Sequence, residues 1–578
     1  MESTQTTSIS AAHGATVATT PSNPALGDKP MFDEAIDEKP GPPLSESDRS
    51  MDFTEDSIGK SGEDERQYPG KAKLAIIMFG LNLTMFLVGL DNTIISTAIP
   101  KITDQFHALE DVGWYASGYM LTVCAFQLIW GKLYTFYSIK WTYIVSLSIF
   151  ELGSLICGVA PNSTALIIGR AIAGIGSGGI SAGSFLLVAY AVPPRQRPAL
   201  VGIVGAMYGF SSIAGPLMGG AFTDNPRLTW RWCFYVNLPL GFVSGLMIIL
   251  FLTVPGDTSS HDVPFLDQLK QMDLPGTILI FPCVICLLLA LKWGGTQYPW
   301  ANGRIIGLFV VSGVLAIIFV AVQIRSGDRA TIPPRLFKKR NIWGSVAFGS
   351  CIVACFFVML YYIPIWFQAI KGASPIKSGV MNLPMVLSFV VFSFLSGTLT
   401  TITGHYVQWA YLTIVFMAIG TGLLTTLKVD SSHAAWIGYQ VIFGAGVGFG
   451  LQSAFTAVQT ALPLEDIPIG TAILIFAENL AAGIFVSVAQ NVFTNQLVRN
   501  LSTYVPSIDA RVVLDGGATQ IKHDVPSELY DSVLLAYNKS LMQTFYVGVA
   551  LACCAIFGAV WLQWKSVKGE KKDSVDDA

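Results

Sequence analysis

Runs of about twenty apolar residues, each long enough to cross roughly 30 Å of hydrocarbon, recur along this chain with only short polar breaks between them. About fourteen such runs are read, at 74–99, 112–129, 141–160, 164–192, 200–222, 232–252, 274–291, 305–322, 343–367, 379–399, 406–427, 435–460, 470–493 and 541–564. Gly and Pro interrupt them, and polarity does not alternate along them. A β-barrel is therefore excluded, and helices that satisfy their own backbone hydrogen bonds are expected. With 52% hydrophobic and 13% charged residues in 578, the chain lacks the polar side chains to cover a water-soluble globule. The expected fold class is all-α, polytopic and membrane-embedded.

The runs divide the chain. Residues 1–70, rich in Ser, Thr, Pro, Asp and Glu, are expected to be a disordered cytoplasmic tail, with no basic stretch and apolar core of a signal peptide. A six-helix bundle at 71–253 follows, then a linker with two additional spans at 254–341, and a second six-helix bundle at 342–565 with a long outer loop at 494–540. A cytoplasmic tail at 566–578 ends the chain. Gly131-Lys132-Leu133 after the second run and Gly397-Thr398-Leu399 after the second run of the last six occupy equivalent places, as two homologous bundles require.

Lys71, Lys73, Lys132, Lys140, Arg195, Arg197, Arg325, Arg329, Arg335, Lys338, Lys339, Arg340, Lys565, Lys568, Lys571 and Lys572 collect on one side. The opposite loops hold fewer cations, among them Arg227, Arg231 and Arg304. The cation-rich side is the expected cytoplasmic face, with both termini on it. A net charge of −3 and scattered basic residues give no nucleic-acid surface. The nine cysteines, Cys283 and Cys286 included, lie in or beside apolar runs without a partnering His or Cys pair, so packing is expected rather than a metal or redox centre.

Charges inside apolar runs are costly and point to function. Asp91, Glu151, Arg170 and Glu478 are the candidates. Counted at 1.5 Å per residue, Asp91 and Glu151 lie roughly 13 Å and Arg170 roughly 9 Å from the outer ends of their helices, one common layer. Proton exchange is expected at Asp91, with Arg170 biasing its release and Glu151 sharing the role or meeting a cationic substrate; a permanent charge pair is the alternative. A substrate pathway is expected along Gln440, Gln452, Gln459, Glu478 and Asn479, with Tyr119, Tyr361 and Trp366 available for stacking. Gly215-Pro216 is read as a break in the fifth helix and, with Gly219 and Gly220, a hinge. Gly174-Ile175-Gly176-Ser177-Gly178-Gly179 lies in a membrane helix with no strand before it, which excludes a dinucleotide loop and favours close helix packing. Asn500, Asn162 and Asn538 carry acceptor sequences for N-glycosylation, and 528–541 is read as a short amphipathic surface helix.

Several ordered motifs carry a resemblance over about 71–565. Leu90-Asp91-Asn92-Thr93-Ile94-Ile95, ending at Ala98-Ile99-Pro100, resembles the first-helix signature of the fourteen-helix drug:proton antiporters of the major facilitator superfamily. Gly169-Arg170-Ala171-Ile172-Ala173-Gly174-Ile175-Gly176 is similar to the fourth-helix motif. Residues 209–220, ending Ala214-Gly215-Pro216-Leu217-Met218-Gly219-Gly220, resemble the fifth-helix antiporter motif, and Trp230-Arg231-Trp232-Cys233-Phe234-Tyr235-Val236-Asn237-Leu238-Pro239 completes the match. The chain is especially similar to fungal members that export toxins and secondary metabolites. One departure stands out: Thr135, Phe136 and Ser138 replace the usual Asp, Arg and second Gly of the loop after the second helix.

The resemblance implies export of small organic molecules by alternating access in a lipid bilayer, driven by protons with no cofactor and no metal, by a chain acting as a monomer. A facilitated or proton-coupled importer is the alternative, and a receptor a more distant one. Plasma membrane is the expected location, with vacuolar membrane second. The chain lacks a phosphate-binding loop, since Gly59-Lys60-Ser61 has no Gly five positions earlier, and it lacks a convergent Ser/His/Asp constellation, so no enzyme activity is expected.

Overall fold

The computed structural model describes residues 68–108, 111–225, 227–252, 272–295, 297–508, 513 and 525–567. Most of the expected N-terminal tail, the greater part of the expected C-terminal tail with Lys568, Lys571 and Lys572, and the linker segment 253–271 lie outside the described residues. The remainder is helical. The first bundle comprises α1 (Lys71–Phe106), α2 (Val112–Phe136), α3 (Ile139–Val159), α4 (Ser163–Ala191), α5 (Arg197–Asp224) and α6 (Asn237–Phe251). Next come α7 (Leu274–Trp293) and α8 (Gly303–Ser326). The second bundle holds α9 (Arg340–Lys371), α10 (Leu383–Thr403), α11 (Val407–Leu424), α12 (His433–Ala461), α13 (Ile467–Tyr504) and α14 (Tyr530–Trp561). Thirteen of the helices are individually long and apolar enough to cross a membrane. The remaining one of these fourteen, α2, is 25 residues long and carries Trp114, Tyr115, Tyr119, Gln127, Trp130, Lys132 and Tyr134 among its apolar residues.

Within each half the same helix pairs pack together: α1 with α5, α3 with α4 and α2 with α4, then α9 with α13, α11 with α12 and α10 with α12. The added pair α7 and α8 pack on each other, and α7 sits against α2 and α13, at the seam between the halves. Phe126 and Phe281 meet edge to face at 5.2 Å there. The pair is fastened at its start by Asp273. Its buried carboxylate accepts from Gly276 N at 3.1 Å, Gln323 Nε2 at 2.7 Å, Thr331 N at 2.7 Å and Thr331 Oγ1 at 2.8 Å. Four donors on one carboxylate tie the start of α7, the end of α8 and the segment at Thr331 into one unit.

Three boundaries differ from the sequence reading. α13 runs on to Tyr504, so the loop expected from 494 begins a further ten or so residues on. The stretch 528–541 is not a surface helix: it opens α14, and Val533, Ala536, Tyr537, Asn538 and Leu541 are buried there. The fifth helix is not broken at Pro216, which lies inside a continuous α5. Gly215 and Gly219 instead let α1 approach closely, since an added Cβ would stand 2.1 Å from Thr93 Oγ1 and 2.3 Å from Thr97 Oγ1. Gly220 faces Ile376.

The two Gly-x-Leu segments are structurally equivalent. A Cβ on Gly131 would lie 2.5 Å from Ala472 Cβ and 3.4 Å from Pro468 O, and one on Gly397 would lie 2.4 Å from Pro198 O. Each glycine thus lets the second helix of its bundle rest on the first turn of the fifth helix of the other, at a Pro in the same position of both. These contacts close the face that holds the α1 N-terminus and the α14 C-terminus. Phe185 of α4 and Phe455 of α12 add a stacked pair at 4.1 Å, and Gln459 Nε2 donates to Phe185 O at 3.4 Å. At the same face Lys132 Nζ donates to Arg329 O at 3.2 Å and Arg335 Nη2 pairs with Asp466 Oδ1 at 2.7 Å. Charges from the segment after α8 therefore gather where the loop after α2 lacks its usual ones.

Gly397→Val is expected to prevent this face from closing, because its neighbour is backbone and cannot swing aside. Transport should fall at least about tenfold with membrane expression retained, while a cysteine introduced at Ser393 should become more reactive to a water-soluble thiol reagent applied to the closed face. Unchanged reactivity and transport would refute the closure role.

Candidate functional site: a central cavity with one carboxylate

Asp91 and Arg170 are fully buried and joined at 2.5 Å between Oδ2 and Nη1. The pair does not stand alone. Arg170 Nε donates to Tyr115 O at 2.9 Å and Nη1 also to Asp91 O at 3.2 Å, while the guanidinium carbon lies 4.3 Å from the centre of the Tyr119 ring. Asn237 Nδ2 donates to Asp91 Oδ1 at 3.2 Å and to Ser154 Oγ at 3.0 Å. One cluster thereby pins α1, α2, α3, α4 and α6 together. It gives chemical meaning to the motif at 230–239, whose Arg231 caps the end of α3 by donating to Gly158 O at 2.8 Å and Ala160 O at 2.9 Å. Capping free carbonyls with a cation suits a helix C-terminus.

Glu151 makes no hydrogen bond to the Asp91–Arg170 cluster. Both its carboxylate oxygens are buried without a hydrogen-bond partner, and Oε1 lies where a Cβ on Gly241 would stand. It belongs to the α3–α6 seam, one helical turn from the Ser154–Asn237 contact toward the closed face.

Between the halves lies a cavity lined from α1 by Asn92, from α2 by Tyr119, from α5 by Tyr208, from α9 by Phe356 and Phe357, and from α13 by Glu478 and Asn479. Phe185, Phe389 and Phe455 complete an aromatic wall. Glu478 is the one charged residue among those lining it, 5% exposed, with Oε1 lacking a hydrogen-bond partner. The helix backbone at Gly349 makes room for it, since a Cβ there would lie 2.6 Å from Oε1. Asp91 is not part of the lining. Its partner Arg170 stacks on Tyr119, so the ion pair stands behind the wall and Glu478 stands in it.

A vestibule adjoins the cavity and shares Asn92, Tyr208 and Phe357 with it. Thr97, Pro216 and Gln368, from the C-terminal halves of α1, α5 and α9, line that vestibule. It lies away from the face that Gly131, Gly397 and Phe185 close. The lining therefore extends from the centre toward the face opposite the closed one.

Of the residues expected along the pathway, Tyr119, Glu478 and Asn479 line the central cavity and Tyr361 lines the vestibule. The other four hold helices together. Gln440 Nε2 donates to Met381 O and Trp436 O, both at 3.2 Å, Gln452 Nε2 to Ser393 Oγ at 3.2 Å, and Gln459 spans the closed face. Trp366 is buried and donates to Asn538 Oδ1 at 2.7 Å. That bond corrects the glycosylation expectation for Asn538, whose Nδ2 also donates to Leu427 O at 3.1 Å. Asn500 is likewise buried, on α13, and donates to Ser540 Oγ at 2.8 Å and Gln543 Oε1 at 2.9 Å. Neither amide faces outward, whereas Asn162 is exposed and caps α4 through Ala165 N at 2.8 Å. Sequence reasoning missed Asn92, Tyr208 and the phenylalanines. Asn92 and Tyr208 carried a signal, standing beside motif residues, but an aromatic in an apolar helix looks the same toward lipid, core or cavity.

Two helical bundles around one central pathway define a transporter. The sequence profile described as Major Facilitator Superfamily matches residues 81–486, and the chain belongs to that family. It is 56% identical over 499 residues, 86% of this chain and 93% of the relative, to a protein of Trichophyton rubrum named MFS-type efflux pump MFS1. It is 48% identical over 86% of its length to the efflux pump aflT of Aspergillus parasiticus, covering 96% of that protein, and 47% identical over 91% to the efflux pump roqT of Penicillium rubens, covering 97%. Among solved structures, the proton:xylose symporter XylE superposes with a TM-score of 0.54 at 14% identity, covering 85% of this chain and 95% of that one. The human organic anion transporter MFSD10 does so with a TM-score of 0.53 at 14% identity, over 85% and 99%. These two share the fold.

Asp91→Ala would leave Arg170 buried without its counter-charge and is expected to destabilise the first bundle by about 3–5 kcal/mol. Thermal unfolding of the purified protein should show a lowered midpoint, largely restored in Asp91→Ala combined with Arg170→Met. An unshifted midpoint for the single variant would remove the pair from its structural role.

Proposed function

We propose that this protein exports small organic molecules across a membrane by alternating access, exchanging them for protons. The observation that carries the reading is Glu478, a carboxylate in an apolar, aromatic cavity between two bundles that meet at one face, with a vestibule toward the other. The names of its relatives, efflux pumps of fungi, support the direction. A charge so placed needs neutralising, either by a proton or by a donor group of the cargo. Those two occupants exclude each other, which is the requirement of exchange. An O–H or N–H of the cargo binds the ionised carboxylate, a proton arriving through the open vestibule displaces it, and the cargo leaves on that side.

Assigning the proton to Glu478 revises the sequence-based assignment to Asp91. Asp91 already has Arg170 and Asn237, and it does not line the cavity. Its part is to hold Tyr119 and Asn92 in the wall. Glu151, unpartnered in its seam, remains the candidate for a second titrating group. No cofactor is needed, since the gradient supplies the work, and the pathway is complete within one chain. Both chain ends are assigned to the cytoplasmic side from the cation bias, which makes the open vestibule the outer one. We assign the protein to the plasma membrane, with Asn162 as the exposed glycosylation acceptor.

Purified protein in liposomes should export a fluorescent aromatic probe against its gradient when the release side is acid, and a protonophore should abolish this. Glu478→Gln should lose that pH-driven accumulation while keeping exchange of labelled for unlabelled probe at zero pH difference. Accumulation that persists in Glu478→Gln would displace Glu478 from the coupling role.

A further inference from the structure

The central cavity has a second arm. A chamber shares Met120, Val123, Phe357 and Asn479 with it and passes between α2, α9 and α13 until it meets α7. The added helix is thus a wall of the pathway and does more than fill the seam. Its Leu288 faces the chamber and lies 3.0 Å from where a Cβ on Gly483 would stand, so a small residue on α13 keeps the junction tight. Lys292, at the outer end of α7, is the one charged residue among those lining the chamber. Its ammonium bonds the Ser117 hydroxyl and lies 5.7 Å from the centre of the Trp114 ring.

We propose that this chamber is a second substrate subsite, built by the added helix pair, and that Lys292 takes an acceptor oxygen of the cargo. The proposal rests on the exporter reading above and names the class of cargo. The two arms have opposite chemistry: a carboxylate that accepts from the cargo in one, an ammonium that donates to it in the other, with apolar and aromatic walls between. The fitting molecule is a flat, largely apolar polycycle that carries a hydroxyl or amine and, apart from it, a carbonyl oxygen. An oxygen arriving at Lys292 takes the place of the Ser117 hydroxyl. A hydrogen bond from a cation in a site of low polarity discriminates strongly against a molecule lacking the acceptor. Lysine stabilising the C-terminus of α7 is the purely structural alternative, and it predicts no such discrimination.

The test uses full-length protein in liposomes and two probes of one ring size, a hydroxyanthraquinone and the corresponding hydroxyanthracene, which lacks the carbonyl oxygens. Lys292→Met is expected to raise KM for the hydroxyanthraquinone about tenfold or more, with its maximal rate and both constants for the hydroxyanthracene within about twofold. Lys292→Arg should restore the preference. Ser487→Phe, which narrows the same chamber, should likewise weaken the polycycle while sparing a single-ring phenol. Equal losses for both probes in Lys292→Met, or none, together with an unaffected Ser487→Phe, would overturn the subsite. Failure of the unaltered protein to export either probe would instead count against the exporter reading.

Discussion

The contact between Asp91 and Arg170 organises the first bundle because neither charge has anywhere else to go. Each lies with no exposure inside a helix packed against other helices, where an isolated ion would be prohibitive. The carboxylate and guanidinium neutralise each other, and their remaining bonding capacity recruits Tyr115 of α2 and, through Asn237, Ser154 of α3. Five helices are set in register by one buried cluster. Tyr119 and Asn92, which face the cavity, inherit their positions from it.

The second bundle faces the first with a different logic. Its carboxylate, Glu478, has no cation among the residues lining the same cavity, and that asymmetry gives the pathway a working charge on one side and a structural pair on the other. The closed face depends on small residues rather than on charge. Gly131 and Gly397 bring each second helix onto the backbone of the opposite fifth helix, and the pseudo-symmetry of the two halves follows from this repeated contact. With the loop after α2 short of its usual charges, the segment that follows α8, anchored by Asp273, brings Arg329 and Arg335 to that face. The added helices are therefore linked at one end to the closed face and at the other to the chamber holding Lys292.

Much of this was legible in the chain because a bilayer imposes length and polarity rules on each segment separately. Apolar runs of span length, broken by Pro and Gly, established the number and order of the helices. Charges placed inside them marked Asp91, Arg170, Glu151 and Glu478, since such charges are rare enough to be conspicuous. What misled was the use of local signals for questions decided by neighbours. Asn500 and Asn538 carry acceptor sequences, yet one lies on an extended α13 and the other on α14, both turned inward to partners. Gly215-Pro216 reads as a break, yet α5 continues through it with α1 packed closely against its glycines.

The sequence by itself determined that this is a helical membrane protein with two six-helix halves and an added pair, because those properties are set by hydropathy over one helix length at a time. Only the tertiary structure decided which buried charge is neutralised and which faces a cavity, which aromatic residues line the pathway, and that α7 forms one of its walls. The physical reason is that in an apolar helix every side has similar composition. The partner a side chain meets, whether lipid, a packed helix or an open pathway, is fixed by the rotation and approach of helices distant in sequence.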